Sequence, residues 1–451
     1  MSSDRTAEPM NNHSFDLVVC GGGTAGSAAA IRAARLGLSV ALLERQSQLG
    51  GSATAALVTP VMPNAAAGTE LVAGIHRQLH DELTRLGVGE VHGFDPLWAA
   101  IVLERWTAEA GVRLFYHTEL IGVRKDGPHL AAVQAAALGK RFEVRGEYFI
   151  DATGDALVAN FAGEPTRMGR EETNEHQPMS LRFIVTGVDV QRVTSFFRDK
   201  SPESVWPRQD LPGLATYSLE PQWLTEQAKQ TEALARWQAQ LTFSFYTIPG
   251  RPDALCFNAP RVFCTDPTDA ARLADAYVDG RRQIVEYWRF FRQHVPGFEH
   301  SRIETVAPLI GMRECRRIEG RFVLCEQHVR NLAKFDDAIC RCSYPIDIHH
   351  AAGDGATLWY LPADAWYEIP YRALQPQHTT NLLVAGRCIS TDFVAHSSYR
   401  IIPVCRGLGE AAAYACAMAK AANADFNEVD GRQLSRRLQT AGLMPAAETS
   451  T

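Results

Sequence analysis

Three glycines carry the first recognisable chemistry of this sequence. Gly21, Gly23 and Gly26 stand as G-x-G-x-x-G within "DLVVCGGGTAGSAAAIRAARLGLSVALLER", residues 16–45. The first glycine of such a set permits a tight turn. The second lets backbone approach a pyrophosphate, and the third lets helix and strand pack closely. Glu44 follows at the end of the next apolar run, where a carboxylate accepts hydrogen bonds from a ribose 2′-hydroxyl and repels a 2′-phosphate, which argues against NADP. Acid–base chemistry has two candidate stretches. "DFVAHSSYR" holds His396, Tyr399 and Arg400. Histidine titrates near neutral pH, and arginine grips a carboxylate with two parallel hydrogen bonds. His396 suits an acid or base, or a histidine that only bonds cofactor or backbone; Arg400 suits a substrate anion or an internal acid equally. "SYPIDIHH" holds Tyr344, Asp347 and His349; a strand puts Asp347 and His349 on one face. His349 and His350 are metal-ligand types, but strand neighbours point apart, so no metal is expected.

"GMRECRRIEGR" concentrates Arg313, Arg316, Arg317 and Arg321. Such a cluster suits an anionic substrate, although structural salt bridges are the commoner use. On "QPMSLRF", Met179, Ser180 and Arg182 are pocket-lining candidates, with Met179 better suited to the core.

The elements that must hold these groups can be read around them. Leu17–Cys20 is an apolar run of the kind that forms a buried parallel strand. The spacing predicts a helix from Ala25 to Leu36 and a second strand over Leu38–Leu43. The helix N-terminus offers free N–H groups to phosphates. Helices are expected over Thr69–Leu86 and Asp95–Ala110, with one or two strands in "VRLFYHTELIGVRKDG". Tyr148–Ile150 is a strand leading into Asp151-Ala-Thr-Gly-Asp155. The middle changes character: "QPMSLRFIVTGVDV", "TFSFYTI" and "ALCFNAPRVF" read as sheet, residues 201–221 as loops, and Gln222–Gln240 and Thr268–His294 as helices. "NLLVAGRCIS" returns to a buried strand, and an Ala-rich helix follows with Pro403 near its start, where proline is tolerated.

Composition bounds the rest. The chain has 451 residues, 46% hydrophobic and 21% charged, with a net charge of −6. That balance is ordinary for a globular protein and gives no electrostatic case for nucleic acid. No apolar run approaches the roughly 20 residues of a membrane span. The N-terminal "MSSDRTAEPMNNHS" lacks a secretory apolar segment and reads as a tail, as does the C-terminal "MPAAETST". Ten scattered cysteines without C-x-x-C give no support to iron–sulfur, zinc-ribbon or disulfide-reductase chemistry. The C-x-C at Cys340 and Cys342 reads as packing. A reducing cytoplasm is the expected setting.

Beyond the first glycine turn, Gly50-Gly51, Gly154 and Gly386 each follow a strand or apolar run and let backbone approach a long ligand. With "FIDATGDALVANFAG", "FDDAICRCSYPIDIHH", "YEIPYRAL" and "NLLVAGRCISTDFVAHSSYRIIPVCRGLGEAAAYA", the sequence resembles the FAD-dependent oxidoreductases of the glutathione-reductase/fumarate-reductase superfamily. The resemblance runs from residue 16 to 416. It implies an α/β fold, a Rossmann-like FAD-binding domain of the second glutathione-reductase type with an inserted α+β substrate domain. The expected limits are 15–165 and 376–425 for the FAD domain and 166–375 for the insert; 1–14 and 426–451 are tails or a peripheral helix.

The same resemblance implies residue roles. Gly21, Gly23, Thr24, Ala25 and Gly26 would hold the diphosphate, and Glu44 with Arg45 the ribose. Gly50, Gly51 and Ser52 would lie along the ribityl chain, and backbone near Leu120 would meet adenine. Gly154, Asp155, Gly386 and Arg387 would flank the flavin side, and the helix after Pro403 would point its N-terminus at the flavin. The sequence departs from the family pattern at Cys315 and Ser397; the latter bears on the substrate pocket. The expectation is a dehydrogenase or oxidase moving a hydride between a small organic substrate and flavin. An externally reduced reductase or monooxygenase, and a non-catalytic FAD-holding subunit, stand as alternatives. Without a second G-x-G-x-x-G opening a βαβ unit, the electron partner is open among oxygen, quinone and another protein. Homo-oligomerisation is open too.

Overall fold

Leu17, Val18, Val19 and Cys20 are wholly buried at the end of the strand Ser14–Cys20, as a strand covered on both faces demands. The computed structural model describes residues 14–200, 205–206, 216–219, 222–231, 234, 243–351 and 356–445. Ser14–Cys20 lies between two parallel neighbours, Val40–Leu43 and Lys140–Asp151, and Arg113–Phe115 extends the sheet beyond Val40–Leu43. Lys140–Asp151 serves two partners along its other edge. Its first half pairs antiparallel with His129–Ala137, which carries Glu119–Asp126 outside it; its last three residues pair parallel with Leu382–Val384. The registers Cys20–Leu43, Cys20–Asp151, Leu43–Phe115 and Asp151–Val384 make five parallel strands end level. The strand order reverses at Ser14–Cys20, and ligands of open α/β sheets bind outside the strand ends at such a reversal.

Two helices cover the sheet at that point. Thr24–Arg35 is alanine-rich and packs on Ile402–Ala422. The approach is backbone to backbone: a Cβ at Gly409 would lie 2.1 Å from the Ala25 carbonyl oxygen. The expected helix near 95–110 forms as Pro96–Glu109, with the Asp95 side chain capping Leu97 N at 2.8 Å; such a cap contributes about 1 kcal/mol. The expected Thr69–Leu86 helix is shorter, Ile75–Arg85, because Thr69–Glu70 pairs with Ala65–Ala66 in a hairpin.

The middle of the chain forms an antiparallel six-stranded sheet. Its order is Val205–Trp206, Thr216–Leu219, Phe243–Ile248, Arg251–Phe257, Phe183–Thr186, Arg302–Val306. Residues 201–221, expected as loops, therefore supply two short strands. The helix Ala270–His294 brings Tyr287, Phe290 and Phe291 into this core. Phe257 stacks on Phe183 and Phe245, with ring centroids 4.6 and 4.9 Å apart, and meets Phe291 edge-on. The helix expected over Gln222–Gln240 is described as Gln222–Gln230; 235–240 lie outside the described residues.

Packing assigns the following segment differently. Leu324, Ile339, Cys340, Cys342, Tyr367 and Leu374 share one core with Ile31 and Leu408, whereas the antiparallel sheet's core runs from Met179 to Ile310. On this packing we propose insert limits near 179–312 in place of 166–375. At the C-terminus the helix Gly431–Thr440 seals the first core with Leu434 and Leu438, and Met444 is buried with them. The expected tail thus starts no earlier than Pro445; residues 1–13 and 446–451 lie outside the described residues. Among the described residues no helix is long and apolar enough to cross a membrane. All ten cysteines are free thiols.

Candidate functional site

The loops leaving four of the five level strands line an open cleft of about 900 Å³, counting the solvent-open space at its mouth, and the loop after Arg113–Phe115 lines an adjoining recess. Steric crowding explains the glycines. A Cβ on Gly21, whose φ is +95°, would lie 2.5 Å from the Ala152 carbonyl oxygen; on Gly26 it would lie 1.8 Å from the Gly21 carbonyl oxygen. A Cβ on Gly51, at φ +55°, would sit 2.7 Å from Gly23 Cα. Gly23 differs: its nearest atom would be 3.9 Å away, so the space beside it is left open for a ligand. Gly23 is also the N-cap of Thr24–Arg35, and no side chain caps that helix. Its first N–H groups and positive end are available to phosphate. Thr24 Oγ1 donates to the Gly50 carbonyl at 3.1 Å and lies 3.5 Å from Ser52 Oγ, drawing the second glycine turn against the first.

Glu44 links these turns. Its Oε2 accepts from Gly22 N at 2.6 Å and its Oε1 from Gln46 N at 2.7 Å. Burial pushes its carboxyl up from the ordinary range, against those two hydrogen bonds. A carboxylate has lone pairs beyond two acceptor contacts, and those of Glu44 border an adjoining recess of about 350 Å³ shared with Thr118 and Leu120. The third turn is organised by Asp151, which sequence reading passed over. It accepts from Thr153 N, Thr153 Oγ1 and Ala159 N at 3.1, 2.7 and 3.0 Å. The available signal was an acid two residues before a threonine at a strand end, an Asx-turn pattern.

Across the cleft, Arg387 and Asp155 form an ion pair over Gly154. The inner end is closed by Leu309, Ile310 and Met312 from the insert and by Ile402 and Cys405 from the long helix. That helix also lacks a side-chain cap. The cleft thus has one uncapped helix N-terminus at the glycine turns and another at the far end. The fully backbone-crowded turns and the open space at Gly23 fit a dinucleotide.

The expected residues distribute as follows. Gly21, Gly23, Thr24, Ala25, Glu44, Arg45, Gly51, Ser52, Gly154, Asp155, Gly386 and Arg387 line the main cleft, and Leu120 the recess. Gly26 and Gly50 stand behind this wall, and Pro403 is buried behind Ile402. Arg400 lines the cleft; its Nη2 donates to Gln177 Oε1 at 2.9 Å and to the Asp347 carbonyl at 3.0 Å.

His396 and Tyr399, expected at the chemistry, are corrected. Their segment is a short helix, Phe393–Tyr399, capped by Asp392, and it turns His396 inward. His396 is 1% exposed and lies off the cleft wall. Burial, with Arg317, Arg400 and Arg387 nearby, holds its imidazole well below the usual histidine range. Tyr399 is buried, and its hydroxyl donates to the Arg387 carbonyl at 2.6 Å. Both brace the loop that carries Arg387. Ser397 is buried and donates to the Val394 carbonyl at 2.7 Å, away from the cleft wall.

His349 accepts from Arg261 Nη2 at 3.2 Å through Nδ1 and lies 3.4 Å from Asp347 through Nε2. His350 points elsewhere, to Thr357. The arginine run splits: Arg317 is fully buried between Glu314 and Glu171, Arg321 is exposed, and Arg313 faces Arg400. Arg261 and Gln177 were missed; neither sits in a motif, and only the folded chain brings them to His349 and Arg400.

Residues 16–438 match the family described as FAD dependent oxidoreductase. A curated relative is digeranylgeranylglycerophospholipid reductase 1 of Methanococcoides burtonii, 24% identical over 216 residues, which cover 41% of this chain and 47% of the relative. The chain thus spans about half the length of that relative. Among solved structures, flavin-dependent brominase Bmp2 aligns with 14% identity and a TM-score of 0.48, covering 95% of this chain and 84% of that one. A geranylgeranyl bacteriochlorophyll reductase-like protein of Thermoplasma acidophilum aligns with 12% identity and a TM-score of 0.44, covering 96% and 84%.

Proposed function

The chain belongs to the FAD-dependent oxidoreductase family, and we propose that it moves a hydride between a small organic substrate and flavin, as a dehydrogenase or oxidase. The observation that carries this reading is the cleft over four level parallel strand ends, flanked by two uncapped helix N-termini. When bound, FAD supplies the two-electron redox chemistry. Gly21, Gly23 and the first N–H groups of Thr24–Arg35 would hold its diphosphate, Thr24 and Ser52 would border the linking chain, and Glu44 would take a ribose hydroxyl. The recess at Leu120 would take the adenine. At the far end, the N-terminus of Ile402–Ala422 favours negative charge within its first turn. Leu309, Ile310 and Met312 exclude water there, and Arg400 orients an incoming anion.

Neither His349 nor His396 lines the cleft. Proton handling is assigned to His349 in preference to His396 because His349 is part-exposed and sits beside Asp347, whose carbonyl holds cleft-lining Arg400. Arginine only donates, so His349 Nδ1 accepts from Arg261 and its proton sits on Nε2 toward Asp347. Burial, chiefly, and Arg313 hold His349 down at about 3, so it stays neutral at physiological pH and offers Nε2–H as a hydrogen-bond donor on the Asp347 side. A second reading runs the reaction as a reduction with electrons supplied from outside; the likeness to a reductase supports it. The deciding experiment is anaerobic. Purified, FAD-reconstituted protein is mixed with candidate donors in a stopped-flow spectrometer. Bleaching of flavin absorbance by an organic substrate supports the dehydrogenase reading. Bleaching only by an external reductant, followed by substrate-dependent recovery without oxygen, supports the reductase reading. A chain that takes up no FAD on reconstitution overturns both.

A further inference from the structure

Four arginines from separate parts of the chain meet where the insert joins the dinucleotide domain. Arg400 lines the inner cleft beside Met312, and its Nη1 donates to the Arg313 carbonyl at 3.2 Å. Arg313 Nη1 donates to the Pro178 carbonyl at 2.6 Å. Arg182 Nη1 donates to the Leu57 carbonyl at 3.4 Å, and its guanidinium lies 5.8 Å from the centre of the Tyr246 ring. Arg261 reaches His349 Nδ1. These acceptors of Arg400, Arg313 and Arg182 are neutral.

Asp347 supplies the negative charge inside the cluster. It sits 3.4 Å from His349 Nε2 and accepts from the Tyr344 hydroxyl at 3.3 Å. Burial acts to raise its carboxyl, but the His349 hydrogen bond and the charges of Arg400 and Arg313 hold it far below the usual range. Arg313 responds in the opposite sense: burial first, then repulsion from Arg400 and Arg261, bring it down to about 9. Glu314, which also acts on Arg400, is committed to Arg317, His176 and Gly169 N. Among the described residues, Asp347 is the carboxylate set against Arg400 and Arg313, and Arg182 adds its charge beside Arg313. Buried charges normally have partners, and an excess of this kind repels itself.

A second observation points the same way. Gln177 is 3% exposed, and its Oε1 accepts from Arg400 Nη2 and His349 N. Its Nε2, on the same amide, is buried without a hydrogen-bond partner among the described residues. The Ser180 hydroxyl, next to Arg261 in strand register, is in the same state. Cations in excess and an orphaned donor together describe a receptor for oxyanions.

We propose that this cluster binds the carboxylates of an organic polyacid as substrate, with Arg400 joining the anion site to the cleft, a proposal that rests on the oxidoreductase reading of that cleft. Guanidinium forks match planar carboxylates bidentately, and the excess charge suits two or three of them. Arg182, Arg261 and Arg313 are positioning and binding groups here.

The test is titration calorimetry on the FAD-loaded chain with malonate, glutarate and citrate, against glutaramide as the neutral isostere of glutarate and inorganic phosphate as a simple oxyanion. The expected result is saturable binding of at least one polycarboxylate at least 100-fold tighter than glutaramide and at least tenfold tighter than phosphate. In Arg313→Gln that binding weakens at least tenfold while the flavin content stays at one per chain. If Arg313→Gln does not fold, the wild-type comparison of acid with amide decides alone. No preference for polycarboxylate over amide, equal binding of phosphate, or undiminished binding in a folded Arg313→Gln overturns the proposal. A chain that holds FAD yet shows no such preference sinks only the anion site; a chain that never takes up FAD sinks the reading beneath it.

Discussion

Glu44 Oε2 accepts a 2.6 Å hydrogen bond from Gly22 N, so the carboxylate at the end of the second strand holds the glycine turn at the end of the first. Charge-assisted bonds to backbone are worth roughly 1.5–3 kcal/mol. Glu44→Gln keeps the shape but loses the charge and one acceptor oxygen. The expected outcome is FAD binding weakened by about tenfold or more, which corresponds to ~1.4 kcal/mol. Fluorescence titration of the apoprotein with FAD checks it; an unchanged affinity would assign the carboxylate to fold alone.

Gly23 and Gly26 separate ligand space from packing space. Gly23 has ordinary φ of −70° and an open side, so Gly23→Ala should leave the apoprotein's thermal midpoint near wild type while cutting FAD uptake at least tenfold. Gly26→Ala forces a Cβ to 1.8 Å from the Gly21 carbonyl oxygen and should lower both. Thermal melts with and without added FAD distinguish the two. A Gly23→Ala protein that binds FAD normally would place the diphosphate elsewhere.

Buried neutral histidine makes the protein acid-sensitive. His396 has its folded value well below the unfolded value of about 6.5, owing to burial and the surrounding arginines. Below that value the unfolded chain takes a proton that the folded one refuses. Stability is therefore full above pH 6.5 and falls with acidification, by up to about 1.4 kcal/mol per pH unit for one such group. His76, His80 and His349 are shifted in the same direction, so the wild-type slope is shared. His396→Asn should flatten it by close to one proton's worth. Urea midpoints at several pH values between 5 and 7.5 give the slopes, and identical slopes in the two proteins would mean that folded His396 carries charge.

The glycine turns and their strands were legible in the sequence because they are set by near neighbours: residues 16–45 contain a strand, its turn, its helix and the next strand in order. His396 was expected at the chemistry because "DFVAHSSYR" lies between the strand in "NLLVAGRCIS" and the helix that begins near Pro403. The structure makes this stretch a helix with Asp392 as cap, and the cap was the signal, since Asp before an apolar-periodic segment marks a helix start. The arginine cluster was illegible for a different reason. Arg182, Arg261, Arg313 and Arg400 are far apart in sequence and meet only in the folded chain, where Ser180 pairs with Arg261 and Arg400 bonds the Arg313 carbonyl. The segment 324–374 likewise reveals its core only through side chains that bury against Ile31 and Leu408.

The Asp155–Arg387 pair spans the cleft with Arg387 backed by buried Tyr399 and His396. Removing one member of a buried pair strands the other charge and costs about 3–5 kcal/mol, whereas replacing both is far milder. Arg387→Met should therefore destabilise the apoprotein strongly. Asp155→Asn together with Arg387→Met should recover most of that loss. A double-mutant cycle from urea unfolding measures the coupling, expected at 1 kcal/mol or more for groups in contact. The same variants separate stability from binding. If the pair only holds the loop, the double variant regains FAD affinity with its stability. If Asp155 or Arg387 touches the cofactor, the double variant folds but binds FAD weakly, and the pair belongs to the site.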